Sequence, residues 1–137
     1  MYPTELTTPM KEELTSLGFE DLTTPEEVDN IIENTDGLLL LVVNSVWGCA
    51  AGNMRPGVRK SLENSLKPNA LGTVFAGVDG EATQQARKHF VPFPPSSPSI
   101  ALFKDGKLVH FLERHHIEGA TADMVAENLQ QAYEEFA

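Results

Sequence analysis

The chain opens with two segments in which apolar residues recur about every three to four positions, the period of a helix. In the first, Thr8 and Pro9 suit the cap and the first helical position, and Gly18 ends the helix. In the second, Thr24 and Glu27 form a capping-box pattern. The inward stripes are Met10, Leu14 and Leu17 in the first helix and Val28, Ile31 and Ile32 in the second.

An unbroken apolar run over 38–43 follows, and it predicts a strand that is covered on both faces. Asp105-Gly106, between two later apolar segments, is a strong hairpin signal. Beyond the first strand the pattern predicts, in order, a helix ending near Leu66, a strand over 73–78, a helix over 81–89, an irregular proline-rich stretch over 91–98, strands over 99–103 and 107–112, and a helix over 121–136. The last helix has an apolar stripe of Met124, Val125, Leu129, Ala132, Tyr133 and Phe136.

This order, α-α-β-α-β-α-β-β-α, predicts one α/β domain over residues 1–137. The βαβ half favours parallel strands with a right-handed crossover, and the hairpin adds antiparallel strands to the same sheet. The expected architecture is a thioredoxin-like three-layer sandwich, in which a mixed central sheet has helices on both faces and an extra N-terminal helix.

The chain is acidic, with 10 Lys and Arg against 20 Asp and Glu and a formal net charge of -10. This balance argues against nucleic-acid binding, which needs a basic surface. The apolar run over 38–43 is far shorter than the ~20 residues that span a bilayer, and the N-terminus lacks the pattern of a signal peptide. A single cysteine excludes an internal disulfide. We therefore expect a cytoplasmic protein that does not bind membranes.

The cysteine, Cys49, follows the buried strand at the predicted start of a helix, where α/β folds place their ligand sites. Helix N–H groups and the helix dipole favour the thiolate there, and such placement can lower a cysteine pKa from ~8.5 to ~3.5–7.5. Cys49 is thus a candidate reactive thiol. The alternative is a small apolar residue that packs under the sheet beside Ala50 and Ala51.

A proline directly before a strand, Pro98, is the second candidate feature. If the Ser97–Pro98 bond is cis, the Ser97 backbone can turn outward beside the cysteine loop and pair with an extended substrate. The nearby Pro94-Pro95 could form a polyproline ligand, but a surface loop suits its position better.

Two histidines, His115 and His116, follow Arg114 at the predicted end of a strand. Adjacent residues of a strand point to opposite faces, so the pair is not expected to share one metal ion, and no metal site is predicted. Arg114 and His115 could lie near Cys49 and tune it, or they could simply form a solvated strand end.

Several segments resemble the bacilliredoxin family, which consists of small thioredoxin-fold proteins with a Cys-Gly-Cys motif. The matching segments are 43–56 with its Trp47-Gly48-Cys49 turn, 98–102, 113–119, 10–14 and 18–19. The resemblance implies a thioredoxin-like fold, an active site at the cysteine loop and a cis bond before Pro98. Such proteins are associated with removing bacillithiol from mixed disulfides on other proteins. We expect Asn44, Gly48, Ser97 and Pro98 to form the substrate site.

The chain departs from the family pattern at Trp47, which aligns with the first cysteine of the motif. A dithiol cycle needs a second thiol to expel the first, so at most a monothiol reaction through Cys49 is expected. Its partners would be S-thiolated client proteins, with bacillithiol or a similar small thiol as co-substrate and no bound cofactor. The alternative is a redox-inactive binding module in which Trp47 makes contacts. A Cys49–Cys49 dimer competes poorly, and a monomer or weak dimer is expected.

Overall fold

A computed structural model describes residues 2–46 and 48–137, and for Cys49 it describes the backbone alone. The helices are α1 (Thr4–Thr15), α2 (Pro25–Asn34), α3 (Gly48–Ser61), α4 (Gly80–Lys88), α5 (Arg114–Glu118) and α6 (Ala122–Phe136). The strands are β1 (Glu20–Asp21), β2 (Leu38–Asn44), β3 (Ala70–Phe75), β4 (Ser99–Lys104) and β5 (Lys107–Leu112).

The five strands form one mixed sheet in the order β1-β3-β2-β4-β5. β2 and β3 are parallel, with Val43 opposite Val74, whereas β2 and β4 are antiparallel, with Val43 opposite Ser99. β4 and β5 form the predicted hairpin. Its turn residues Asp105 and Gly106 both have positive φ, 50° and 82°, as a tight hairpin turn requires. The expected mixed sheet is confirmed.

The central strand β2 is buried along its whole length because helices cover both faces of the sheet. Side chains of a strand alternate between faces, so Leu40 and Leu41 enter two different cores. One core lies under α1, α3 and α6, and the other lies under α2 and α4. This three-layer arrangement is the predicted thioredoxin-like sandwich.

Two predicted boundaries in the first half of the chain are wrong. α1 begins at Thr4 with Pro3 as its N-cap, so Thr8 is not the cap and Pro9 lies inside the helix. The reason is a complete turn ahead of Pro9, in which the Pro3 carbonyl accepts from the N–H groups of Leu6 and Thr7 and Thr7 is buried. α3 ends at Ser61 instead of near Leu66, because the next N–H groups bond three residues back. By contrast, the capping box of Thr24 and Glu27 is confirmed.

Four further features were also placed wrongly or missed. β3 covers 70–75 and not 73–78, since its pairing with β2 starts at Ala70. β1 and α5 were not predicted, because two and five residues are too short to show a period. Met124 was assigned to the inward stripe of the last helix, but it is 55% exposed.

The proline-rich stretch over 91–98 is irregular, as predicted, and contains two cis peptide bonds, Val91–Pro92 and Ser97–Pro98. Pro98 is buried and stands directly before β4. None of the helices in the described part of the chain combines the length and the apolar character that crossing a bilayer requires.

Candidate functional site

The turn between β2 and α3 places the backbone of Cys49 in the first turn of a 14-residue helix, at the carboxyl end of the central strand. Gly48 begins this helix with a φ of +31° and is exposed, and a side chain there would meet open space. Trp47 lies outside the described residues, as does the Cys49 side chain. The predicted strand-to-helix position of the cysteine is confirmed, and its role stays a prediction.

The Ser97–Pro98 bond lies at the same end of the sheet as this turn. Val43 pairs with Ser99 in the antiparallel β2–β4 ladder, so Pro98 is level with Asn44 on a neighbouring strand. Neighbouring strands are about 4.8 Å apart. The expected cis geometry before Pro98 is present, and Ser97 is partly exposed. Substrate binding by Ser97 and Pro98 stays a prediction.

Asn44 is 1% exposed, and its side chain makes three hydrogen bonds within the protein. Its Nδ2 donates to the Met10 carbonyl at 3.0 Å. Its Oδ1 accepts from the Ser45 N–H at 2.9 Å and from an Nη of Arg55 at 3.1 Å. These bonds fix the end of β2 to α1 and α3. Asn44 therefore shapes the turn from inside the protein, and a direct substrate contact by this side chain stays a prediction.

Arg55 is a site residue that sequence reasoning missed. It lies in the second half of α3, and its side chain is 10% exposed. The same Nη that reaches Asn44 donates to the Ser45 carbonyl at 2.8 Å. Arg55 belongs to the segment that resembles the bacilliredoxin motif, but its contacts join residues 10 and 11 positions apart and follow no period of the sequence.

A second missed contact ties α3 to the segment after α5. Asn53, four residues after Cys49, donates from Nδ2 to the Ala120 carbonyl at 2.9 Å. α5 in turn lies beside the Ser96–Pro98 loop, because the Arg114 N–H donates to Ser96 Oγ at 3.3 Å. The structure thus brings together three chain segments that are far apart in sequence: the cysteine turn, the Pro98 loop and α5.

The assignment of His115 and His116 to a strand end is wrong, since both lie in α5. Arg114 forms an ion pair with Glu118, and His115 is exposed. The short helix forms because Glu113 caps it reciprocally with His116. The hydrogen bond from the Arg114 N–H to Ser96 places Arg114 and His115 near the Pro98 loop. An effect of either residue on the reactivity of Cys49 stays a prediction.

The expectation that His115 and His116 point to opposite faces is also wrong. On a helix the two histidine rings come together, with centroids 4.1 Å apart. Ligand atoms of Glu113, His115 and His116 lie within 4.8 Å of one another. Two of these three groups are already engaged, because His116 Nδ1 accepts from the Glu113 N–H at 3.0 Å and the Glu113 carboxylate accepts from the His116 N–H.

A cavity of about 420 Å³ lies between β5, α5 and α6, with His110, His116 and Ala120 in its lining. Its volume falls in the ~300–1,000 Å³ range of small-molecule sites. Among the described residues, its lining includes none from 44–48.

Comparisons with known proteins point to a thiol–disulfide protein. The profile of the family described as "Disulphide isomerase" matches residues 2–137. A bacilliredoxin of Cytophaga hutchinsonii is 60% identical over 135 residues, which cover 98% of this chain and 99% of that protein. A bacilliredoxin of Bacillus cereus is 52% identical over 134 residues, which cover 97% of this chain and 93% of that protein.

Solved structures of thioredoxins share the fold at low sequence identity. Mitochondrial thioredoxin 3 of Saccharomyces cerevisiae, in its oxidized form, gives a TM-score of 0.61 at 19% identity and covers 90% of this chain and 98% of its own. Fasciola hepatica thioredoxin gives a TM-score of 0.61 at 18% identity, and the match covers 87% of this chain and 100% of that thioredoxin. Both likenesses support the three-layer architecture described above.

Proposed function

Since this chain belongs to the bacilliredoxin family, we propose that it removes a low-molecular-weight thiol from mixed disulfides on client proteins, through Cys49 alone. The family and the thioredoxin fold support thiol–disulfide exchange in general. The finer parts of the proposal concern the small thiol, which is bacillithiol or a similar compound, and the monothiol route.

One observation carries the proposal: the only cysteine of the chain lies in the first turn of α3, at the end of the sheet where the Ser97–Pro98 bond also lies. A thiol in the first turn faces helix N–H groups that lack partners within the helix, and these favour the thiolate. The Pro98 loop, which leads into the neighbouring strand β4, supplies backbone at the same end of the sheet as the cysteine turn, and an extended client segment can lie against it.

The reaction needs two exchange steps. In the first, the Cys49 thiolate attacks the small-thiol sulfur of the mixed disulfide. A Cys49–small-thiol disulfide forms, the client S–S bond breaks, and the client thiolate leaves and takes a proton from water. In the second, the thiolate of a free small thiol attacks this adduct on the sulfur of the small thiol. The symmetric small-thiol disulfide forms and Cys49 returns as thiolate, so sulfur and electrons balance without another oxidant.

Trp47 explains why a free thiol has to complete the cycle. The chain has one cysteine, so no internal thiol can expel the small thiol from Cys49. The second candidate function, a redox-inactive binding module, draws on the same substitution, because Trp offers a large apolar contact surface. The two functions differ in whether Cys49 exchanges at all.

The test is the intact mass of the protein after incubation with a model client protein that carries a bacillithiol or glutathione mixed disulfide, with Cys49→Ser in parallel. We expect one small-thiol adduct on the parent, none on Cys49→Ser, and loss of the adduct when free thiol is added. A folded parent that gains no adduct contradicts the exchange function and favours the binding module.

A further inference from the structure

We propose that Arg55 is a positioning residue for Cys49: its guanidinium holds the Asn44–Ser45 turn that leads into α3 and connects this turn to α1. The inference rests on the proposed exchange function, because it concerns the same thiol. Arg55 acts through the backbone of the turn, and no direct contact with the reacting sulfur is part of the proposal.

The contacts of Arg55 converge on the last residues before the cysteine turn. One Nη donates both to the Ser45 carbonyl at 2.8 Å and to Asn44 Oδ1 at 3.1 Å. Ser45 is 0% exposed, so its carbonyl depends on partners inside the protein. Hydrogen bonds from a charged donor are about twice as strong as neutral ones. Arg55 therefore fixes the backbone four residues before Cys49.

The opposite side of the guanidinium faces α1. Nε of Arg55 lies 2.9 Å from Glu13 Oε2, an ion pair in which the N–H is not aligned as a hydrogen bond. Asn44 adds a second link to α1 through the Met10 carbonyl. The turn before Cys49 is thus held between α3 and α1 by one partly buried cation, Arg55, and one buried amide, Asn44.

α1 is itself attached firmly to the sheet side of the protein. Lys11 Nζ donates to Asp79 Oδ2 at 2.9 Å and lies 3.3 Å from Asp21 Oδ2. Burial alone would lower the pKa of Lys11, but the hydrogen bond and charge of Asp79, together with Asp21, raise it overall. These contacts of Lys11 link α1, which also carries Glu13, to the segments that hold Asp21 and Asp79.

The geometry calls for arginine and not merely for a positive charge. A guanidinium is planar and has donors on several sides, so it can face the turn and Glu13 together. A lysine ammonium at the same position keeps the charge but is a single point on a flexible stem. Arg55→Lys therefore separates positioning from charge.

The chain offers a matched control one turn further along α3. Arg59 is exposed and lines the same small cavity as Glu13 and Arg55. Arg55→Met and Arg59→Met each remove one positive charge from this side of α3, but only the first removes the bonds to Asn44 and Ser45. Glu13→Gln, at a half-exposed carboxylate, weakens the clamp without emptying a buried site.

The measurement is the rate of alkylation of Cys49 by iodoacetamide between about pH 5 and pH 10, which reports its thiolate fraction. One cysteine makes the assay specific, with Cys49→Ser as the blank. Circular dichroism and thermal unfolding of each variant identify the folded ones. We expect Arg55→Lys and Arg55→Met to react about tenfold more slowly at pH 7, with a higher midpoint pH, because small misplacements in a site are amplified in rate.

Arg59→Met should keep the rate and midpoint of the parent, and Glu13→Gln should shift both in the direction of the Arg55 variants. If folded Arg55 variants keep the parent profile and lose only thermal stability, Arg55 is structural and the proposal is overturned. An equal effect of Arg59→Met also overturns the proposal, because it would show that any positive charge on this side of α3 affects Cys49 in the same way. If both Arg55 variants unfold, a parent-like Glu13→Gln overturns it.

A parent that is alkylated but accepts no small thiol refutes the exchange function alone, whereas an inert parent thiol refutes both.

Discussion

The hydroxyl of Tyr133 shows how one residue joins two helices of the same core. Tyr133 is 0% exposed, and its Oη lies 2.9 Å from Ser61 Oγ. Ser61 Oγ also donates to the Val58 carbonyl at 2.7 Å, so Tyr133 donates and Ser61 accepts. The contact links the last turn of α3 to α6. Burial raises the pKa of Tyr133.

The two ends of this bond are expected to contribute unequally to stability. Ser61→Ala leaves a buried phenol without its acceptor, at about 1–3 kcal/mol, whereas Tyr133→Phe leaves Ser61 bonded to Val58, at about 1 kcal/mol. Urea unfolding of both variants measures the difference. Equal losses would mean that another group or a water molecule satisfies the phenol.

Tyr133 should also make the stability of the fold depend on pH in the alkaline range, and the Tyr133→Phe variant should lack this dependence. An unfolded tyrosine ionises near about pH 10, and the folded chain keeps Tyr133 protonated above that pH. The unfolded state then binds fewer protons, so stability is full below pH ~10 and falls as pH rises toward the raised pKa. The difference between the parent and Tyr133→Phe on alkaline titration isolates this effect from other groups.

At the scale of elements, the packing of α3 against α6 depends on a close approach at Gly57. A Cβ at Gly57 would lie 2.8 Å from Val125 Cβ and 3.0 Å from the Ala122 carbonyl. Gly52, in the same helix, is exposed and has open space around it. Asn53 and Gly57 together therefore keep the cysteine helix pressed against the start of α6.

These two glycines form a matched pair for mutation. Gly57→Ala should destabilise the fold by about 1–3 kcal/mol through overpacking, whereas Gly52→Ala should stabilise it by about 0.5–1 kcal/mol through helix propensity. Thermal unfolding of both variants provides the comparison. A neutral Gly57→Ala would show that α6 can move away from α3 without loss.

The whole molecule is organised by a strand that divides it into two cores. Leu40 and Leu41 are both 0% exposed, yet they belong to different clusters on opposite faces of the sheet. All seven residues of β2 are buried and none is charged, because an unpaired charge is rarely tolerated in a protein interior.

Because both faces of the sheet are covered, we expect truncation of neighbouring side chains in β2 to lower the stability of the fold by similar amounts. Leu40→Ala and Leu41→Ala should each cost about 2–5 kcal/mol, because each leaves a cavity in a packed core. Leu66→Ala, at a residue that is 44% exposed, serves as the control, with an expected change within about 0.5 kcal/mol. A mild effect at one of the two β2 positions would contradict the three-layer arrangement.

Part of the candidate site could be read from the sequence because it depends on local order. The step from an apolar run to a helix placed Cys49, and a proline before a strand singled out Pro98. The cis bond at Pro98 was expected from the family resemblance and is present. Arg55, Asn53 and the location of α5 beside Ser96 could not be predicted, because each depends on contacts between residues far apart in the chain.

By itself the sequence determined the order of the longer helices and strands, the fully buried β2, the Asp105-Gly106 hairpin and the capping box of α2, since each is encoded by hydrophobic period or local backbone chemistry. Only the tertiary structure decided where α1 begins and where α3 ends, that α5 is a helix, and that Met124 is exposed. It also decided that Asn44 and Arg55 clamp the turn before Cys49. The physical reason is that helix and strand boundaries and polar contacts depend on which distant part of the chain packs against a segment. A local sequence pattern does not specify that part.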